Sequence, residues 1–450
     1  MNIPGKKFYI SERLFLTITF LFLFLLNAGA QQQPQFLSLN DAVANATSGN
    51  NQVRSARIDE AIAKEKYLQT NAGFLPQLNF SYSGVYSDNP LNIFGFKLQQ
   101  RDVTAADFSP DKMNHPSATS DFTTKLELQQ PIINMDAVYA RRSAQAQMES
   151  FQLKTERTRE GLEFETRKAY RQLQQAYQVI TVLEDALNTA KSIYEFTDNR
   201  ARQGLIQESD VLNAHVQVLN IESNLNEAKS NVANASDYLS VLMNKPSGTV
   251  YSVEEMKDSS SEKISQASLP DNRADFLALE KGKEATGLMM QSLKKKYVPR
   301  LNAFGSYQLN DKKLYGFNAN SYLAGIQLTW NIFDGNQNRR QANQLKLEQD
   351  KLDVQLQSMK QEDQMKLDKG YRDLENANFK IRTQKAAIRQ ADDALQILKN
   401  RFDQGLVNTT DVLMAQTQVA QQKLNLTMAV FNQQVAQDYI QFLTKSDNQQ

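Results

Sequence analysis

Few side chains in this 450-residue chain are of the types that do covalent chemistry. Cysteine is absent, which removes thiolate nucleophiles, thiolate metal sites and disulfides together. Only two histidines occur. His115 lies in a polar stretch and reads as solvated, and His215 reads as a partly exposed histidine of a helix pair. Nucleophile-elbow, phosphate-loop, HExxH and CxxC patterns are missing. What stands out is a pair of carboxylates at a recurring place. Asp210 and Asp411 each follow a glycine by six residues, after Gly204-Leu205-Ile206 and Gly405-Leu406-Val407. Taken alone, each reads as an acid at a helix start, where it caps backbone N–H groups or meets the positive end of the helix dipole. The chemistry on offer is electrostatic, with no cofactor implied.

The elements that position these acids are written twice. Residues 199–218 (NRARQGLIQESDVLNAHVQV) and 400–419 (NRFDQGLVNTTDVLMAQTQV) are identical at 11 of 20 positions without a gap. A duplicated segment implies a duplicated structural unit. The repeat extends outward. FLPQLN at 74–79 is echoed by YVPRLN at 297–302, and QPIIN at 130–134 by WNIFD at 330–334. The organisation expected is a signal peptide at 1–30, a first repeat at 31–244, a linker at 245–270, and a second repeat with a short tail at 271–450.

Charge is balanced, 51 basic residues against 50 acidic, so no basic stripe points to nucleic acid. At the N-terminus Lys6, Lys7 and Arg13 precede the apolar run 14–26, and Ala28-Gly29-Ala30 fits a small-x-small cleavage site. This predicts a secretory signal cut near Ala30. The competing reading, a membrane anchor, needs about 20 apolar residues. No other stretch is apolar enough to span as a helix, so a membrane location would have to be met by strands.

Four segments alternate with period two. Leu78, Phe80, Tyr82 and Tyr86 alternate with polar residues, as do Phe122, Leu126 and Leu128. So do Leu301, Ala303, Gly305, Tyr307 and Leu309, with Phe304 the exception on the polar face. The fourth set is Tyr322, Ala324, Ile326, Leu328 and Trp330. Each is roughly the length of a tilted membrane strand, although a sheet with one wet face has the same pattern. The first pair is joined by a long loop, about 87–120, and the second by a short one, about 311–320. Most of the rest reads as helix: 39–72, 137–199, 273–296 and 338–402, with a heptad seam after each QGL turn. The seam of the first copy is Val211, Val218, Leu225, Val232 and Leu239 with Ala214, Ile221, Ala228, Ala235 and Leu242. The second copy keeps it but for Gln422 and Gln433. Runs of ~60 residues would reach about 90 Å, a length suited to coiled-coil assembly.

Four membrane strands cannot close a barrel, and an open edge in lipid leaves backbone groups unsatisfied. Copies of the chain would have to pool their strands in a cyclic oligomer. At this point the QGL…DVL.A segments 204–214 and 405–415, the FLPQLNF and YVPRLN strand starts and the LTWNIFDG segment 328–335 carry a resemblance. The chain resembles TolC-type outer-membrane efflux channels, the outer membrane efflux protein family, over about 39–444.

The resemblance implies a mainly helical fold with a transmembrane β part. Three two-repeat protomers would share a 12-stranded barrel in the Gram-negative outer membrane, above a long periplasmic helical barrel. It implies a homotrimer in contact with outer-membrane lipid, a periplasmic adaptor (a membrane fusion protein) and an inner-membrane pump. The function implied is the passive duct of a tripartite efflux or type I secretion system, not an enzyme. It places Gly204, Leu205, Ile206, Gly405, Leu406 and Val407 at tip turns where the adaptor docks. It places Asp411 and Asp210, with Asn213 and Met414, around the pore constriction, where acids gathered near an axis attract cations and repel anions. This chain departs from the family where an arginine–aspartate gate would sit. Met414 replaces a second acid, Phe402 a tyrosine and Val407 a basic residue, which leaves Thr409, Thr410 and Asn213 for a hydrogen-bonded closure. The alternatives are a periplasmic coiled-coil adaptor or scaffold without membrane strands, and a secreted enzyme on an elongated fold.

Overall fold

The computed structural model describes residues 34–257 and 267–446. The expected signal peptide, its cleavage site and part of the linker lie outside them. The described chain forms two compact units that cut across the sequence repeats: 34–51, 160–257, 267 and 367–443 in one, and 52–159, 268–366 and 444–446 in the other.

The first unit is helical. It holds α1 (Leu39–Gly49), the distal part of α5 (Met135–Arg202), all of α6 (Glu208–Leu242), the distal part of α8 (Gln337–Asp403) and nearly all of α9 (Thr409–Thr444). The heptad seam of α6 is its core. Val218, Ile221, Leu225 and Ala228 pack on Leu183, Ala186, Leu187 and Ala190 of α5. Burying such side chains contributes roughly 1.5–3 kcal/mol each, and the alanines let the helices approach closely. Of the two glutamines that interrupt the second seam, Gln433 is fully buried, and its Nε2 donates to Asn378 Oδ1 at 2.6 Å. A satisfied amide costs the core little. Part of the linker is ordered, since β4 (Tyr251–Ser252) pairs in parallel with β1 (Gln35–Phe36). The Tyr170 and Tyr177 hydroxyls donate to the Leu37 and Tyr251 carbonyls, at 3.0 and 2.8 Å.

The expected single helix at 39–72 is broken. Asn50 takes an extended conformation (φ −65°, ψ 138°) between α1 and α2 (Asn51–Gln69), and its Nδ2 donates to the Leu242 carbonyl at 2.9 Å. That bond caps the end of α6 at the cost of the helix.

The second unit carries the sheet. The strands β2 (Gln77–Ser87), β3 (Thr119–Ile133), β5 (Arg300–Asp311) and β6 (Ala319–Thr329) are antiparallel in the order β2-β3-β5-β6. Each begins or ends at a helix: α2, the proximal part of α5, α7 (Ala274–Lys295) and the proximal part of α8. Pro131, which has no N–H to give a ladder, sits where the β3–β5 register shifts. The register sorts the faces. Phe80, Leu126, Tyr307 and Tyr322 form one continuous row, and Leu78 faces Leu128 in the next. All six are exposed. The opposite face carries Asn79, Ser81, Lys125, Glu127, Gln308 and Gln327. Phe304, the exception to the alternation, pairs with Gly325 and covers it, with a ring carbon 2.9 Å from where a Cβ would stand. Among the described residues β2 and β6 each have one unpaired edge.

The long loop is not irregular. It contains α3 (Pro90–Gln99), a 3-10 turn (Ala105–Phe108) and α4 (Pro110–Asn114). Asn89 caps α3, accepting from Leu91 N at 3.0 Å, and Ser109 caps α4.

Candidate functional site

Each QGL turn ends its helix in the same way. Gly204 (φ +73°) and Gly405 (φ +75°) adopt the left-handed conformation that only glycine enters without strain. Gly204 N donates to Ala201 O at 2.8 Å and Leu205 N to Arg200 O at 3.0 Å; Gly405 N donates to Phe402 O at 2.9 Å and Leu406 N to Arg401 O at 2.9 Å. Both are Schellman closures, with glycine just past the helix and leucine one further. Leu205 and Leu406 are left two-thirds exposed, at 67% and 68%. Ile206 and Val407 instead turn inward onto a core of Ile193, Ala214, Leu395, Phe402, Val412 and Val419. They sit just before the next helix and act as hydrophobic staples. The six residues expected to form one docking surface therefore divide into two exposed leucines, two backbone-shaping glycines and two anchors.

Asp210 and Asp411 fall in the first turns of α6 and α9. Asp411 is not itself the cap. Asn408 Oδ1 accepts from Asp411 N at 2.9 Å, whereas Gln207 at the matching place makes no side-chain cap. Neither aspartate forms an ion pair among the described residues. Both remain half-exposed beside the positive helix end, which stabilises an anion there. Asn213 and Met414, one turn on, are exposed.

The link between the two turns comes from a residue that sequence reasoning passed over. The Arg200 guanidinium, in the last turn of α5, donates to the carbonyls of Phe402 (3.4 Å) and Asp403 (2.5 Å) at the end of α8. It lies 4.8 Å over the Phe196 ring, and Phe196 packs on Phe402 at 5.0 Å. One helix's terminal cation thus neutralises the negative end of another. Two further bonds join the hairpins: Gln416 Nε2 to the Ala186 carbonyl, and Gln217 Nε2 to Thr417 Oγ1 at 3.1 Å. Within the chain, the bonds between the hairpins come from Arg200, Gln416 and Gln217 rather than from Thr409, Thr410 or Asn213. Thr409 starts α9 facing the core, and its buried hydroxyl has no partner. The available signal was the repetition of Arg200 as Arg401, a cation in the last turn before each glycine. His215 stacks on Tyr194 at 5.1 Å.

Apolar side chains remain uncovered along the helices. On α6 they are Leu212, Val216 and Leu219, spaced as one face; on α8 they are Leu347, Val354, Met365, Phe379 and Ile397. Exposed rows of this kind mark association surfaces.

The sequence matches the model of the family described as outer membrane efflux protein over residues 42–245 and 267–444. No curated protein matches it. Among solved structures, the fold is similar to CusC, with a TM-score of 0.78 at 16% identity over 94% of this chain and 96% of that one. VceC of Vibrio cholerae gives 0.75 at 16% over 91% and 96%. The CmeC outer membrane channel of Campylobacter jejuni gives 0.71 at 18% over 99% and 93%.

Proposed function

The chain belongs to the outer membrane efflux protein family, and from that premise we propose that three copies form the passive outer duct of a tripartite exporter. The protein is an outer-membrane efflux channel. The observation that carries the trimeric reading is the sheet, which has four strands, one apolar exposed face and a free edge on either side. In lipid each unpaired backbone group costs several kcal/mol. Pairing β6 of one copy with β2 of the next removes every edge, and three copies give a closed barrel of 12 strands. The exposed rows on α6 and α8 supply the remaining contact between copies. The helices extend into the periplasm after cleavage of the signal near Ala30.

The exposed Leu205 and Leu406 then offer apolar knobs to a periplasmic adaptor that couples the duct to an inner-membrane pump. Asp210 and Asp411, repeated by the trimer axis, ring the constriction with unpaired negative charge. Arg200 takes the place of the missing basic gate residue, holding the two hairpins of one protomer together through carbonyls.

Single-channel recording in planar bilayers tests this reading. The wild-type protein forms cation-preferring pores. Asp210→Ala with Asp411→Ala lowers the cation preference several-fold, to roughly the level set by the remaining lining. Arg200→Ala forfeits charge-assisted bonds of about 1.5–3 kcal/mol, which shifts the closed–open balance toward open by at least about tenfold. Unchanged selectivity in the double variant would remove the aspartates from the constriction. Failure of the wild-type protein to conduct at all would remove the duct.

A further inference from the structure

The loop between β2 and β3 is larger than a hairpin connection requires. It is a folded piece with its own contacts. Ile93 is 2% exposed, Phe94 meets Phe108 edge to face at 5.7 Å, and Lys97 pairs with Asp107. Hydrogen bonds from Lys97 and from the Thr104 backbone hold the Asp107 carboxyl well below the usual range.

Three consecutive residues fasten this piece to three places on the sheet. Gln100 Nε2 donates to the Ser120 carbonyl (2.9 Å) and to Asp121 Oδ1 (2.8 Å) on β3. Arg101, at φ +55°, donates through Nη2 to the Asn320 carbonyl on β6 at 2.7 Å. Asp102 pairs with Lys312, just past β5, at 2.9 Å. The anchor is buried. Gln100, Asp121 and Asn310 are 5%, 3% and 1% exposed, and Asp121 Oδ2 also accepts from Thr123 and Asn310.

The side of the sheet matters. Asp121 and Thr123 share a face with Lys125 and Glu127, and Asn310 shares it with Gln308. This is the polar face, opposite the row of Phe80, Leu126 and Tyr307. The anchor also sits at the end of the sheet where the two hairpins turn, away from the end where strands meet helices. In a barrel with its apolar face to lipid, a piece fastened to the polar face at the hairpin end lies in the outer mouth.

We propose that residues 88–118 are an external lid that narrows the outer opening of the channel, strapped in place by Gln100, Arg101 and Asp102. The lid rests on the channel reading. Barrels of eight strands are filled by side chains alone, and those of 16–18 leave a water channel. A 12-stranded barrel lies between, so a folded insertion from each copy decides whether its mouth is open.

The absence of native cysteine allows a direct test. Ser81→Cys on the polar face of β2 is exposed to a bulky, membrane-impermeant polyethylene-glycol maleimide added outside intact cells. It is placed in three backgrounds: the intact loop, a loop with 90–116 replaced by a short Gly-Ser connector, and Gln100→Ala with Arg101→Ala. The second release variant keeps the test informative should the shortened loop assemble poorly. A strapped lid that opens in a tenth of the population or less makes labelling about tenfold or more slower than in either released background. Equal rates in all three would overturn the lid while leaving the channel standing. A Ser81→Cys that resists even a small maleimide in every background would contradict the channel reading, and the lid with it.

Discussion

Leu126→Arg should abolish assembly in the outer membrane, while Glu127→Gln, one residue along, should leave it intact. Leu126 lies at the centre of β3, between Phe80 of β2 and Tyr307 of β5 in the apolar row. Its neighbours Lys125 and Glu127 are already charged and pair with one another at 2.9 Å on the other face. Arginine toward lipid at mid-depth costs about 2–4 kcal/mol, and a closed trimer would incur that three times. This exceeds what a marginally stable fold can absorb. Glutamine in place of Glu127 stays in the watery lumen and loses only an exposed pair worth ~0–1 kcal/mol. The measurement is the amount of each variant recovered as heat-modifiable complex from outer-membrane fractions. Equal recovery of the two would show that the row does not face lipid.

The second large effect is expected at Arg273, the residue before α7, which is fully buried. Its guanidinium donates to Asp275 at 2.8 and 2.6 Å and to Asp363, and lies 4.2 Å over the buried Phe276 ring. Removing one partner of a buried ion pair costs about 3–5 kcal/mol, because the remaining charge is stranded. Two neighbours soften the loss. Lys366 reaches Asp363 at 2.8 Å and Arg157 reaches Asp275 at 3.3 Å, which places Arg273→Leu near the lower end. Arg273→Leu with Asp363→Leu should recover part of the loss, since an apolar replacement leaves no stranded charge. The readout is the apparent melting temperature of the detergent-purified protein. The pH dependence has a definite sign. Burial acts to raise the Asp363 pKa, but hydrogen bonds from Lys366 and Arg273 outweigh it and hold the carboxyl below 3.8. Its contribution is complete above 3.8, its unfolded value, and is lost as pH falls through the lower folded value. The gap between wild type and Arg273→Leu therefore narrows in strong acid. A gap that widens there would contradict this account of the cluster.

Periodicity carried most of the fold. The period-two runs at Leu78–Tyr86 and Leu301–Leu309 mark real strands because one face is apolar throughout, and the heptads from Val211 mark α6 because its seam must be buried. The long helices end within a few residues of the expected places, since glycine takes the left-handed turns at 204 and 405 without strain. What escaped was set by partners distant in sequence. Asn50 breaks a helix to reach Leu242, 192 residues on. Phe304 leaves the alternation because Gly325, on another strand, needs covering. The insertion at 88–118 looks like solvated loop until Gln100 is seen against Asp121. Arg200 reads as a surface cation because its acceptors are carbonyls, which no side-chain pattern reveals. The two aspartates were legible as helix-start acids; the ring we propose for them would be a property of the assembly, which no single chain displays.

The central claim is that this sheet is one third of a closed barrel. The mass of the detergent-solubilised complex, measured by native mass spectrometry after extraction from outer membranes, tests it most directly. The account predicts three chains and no other species of comparable abundance. A monomer recovered in soluble form from the periplasmic fraction would contradict it.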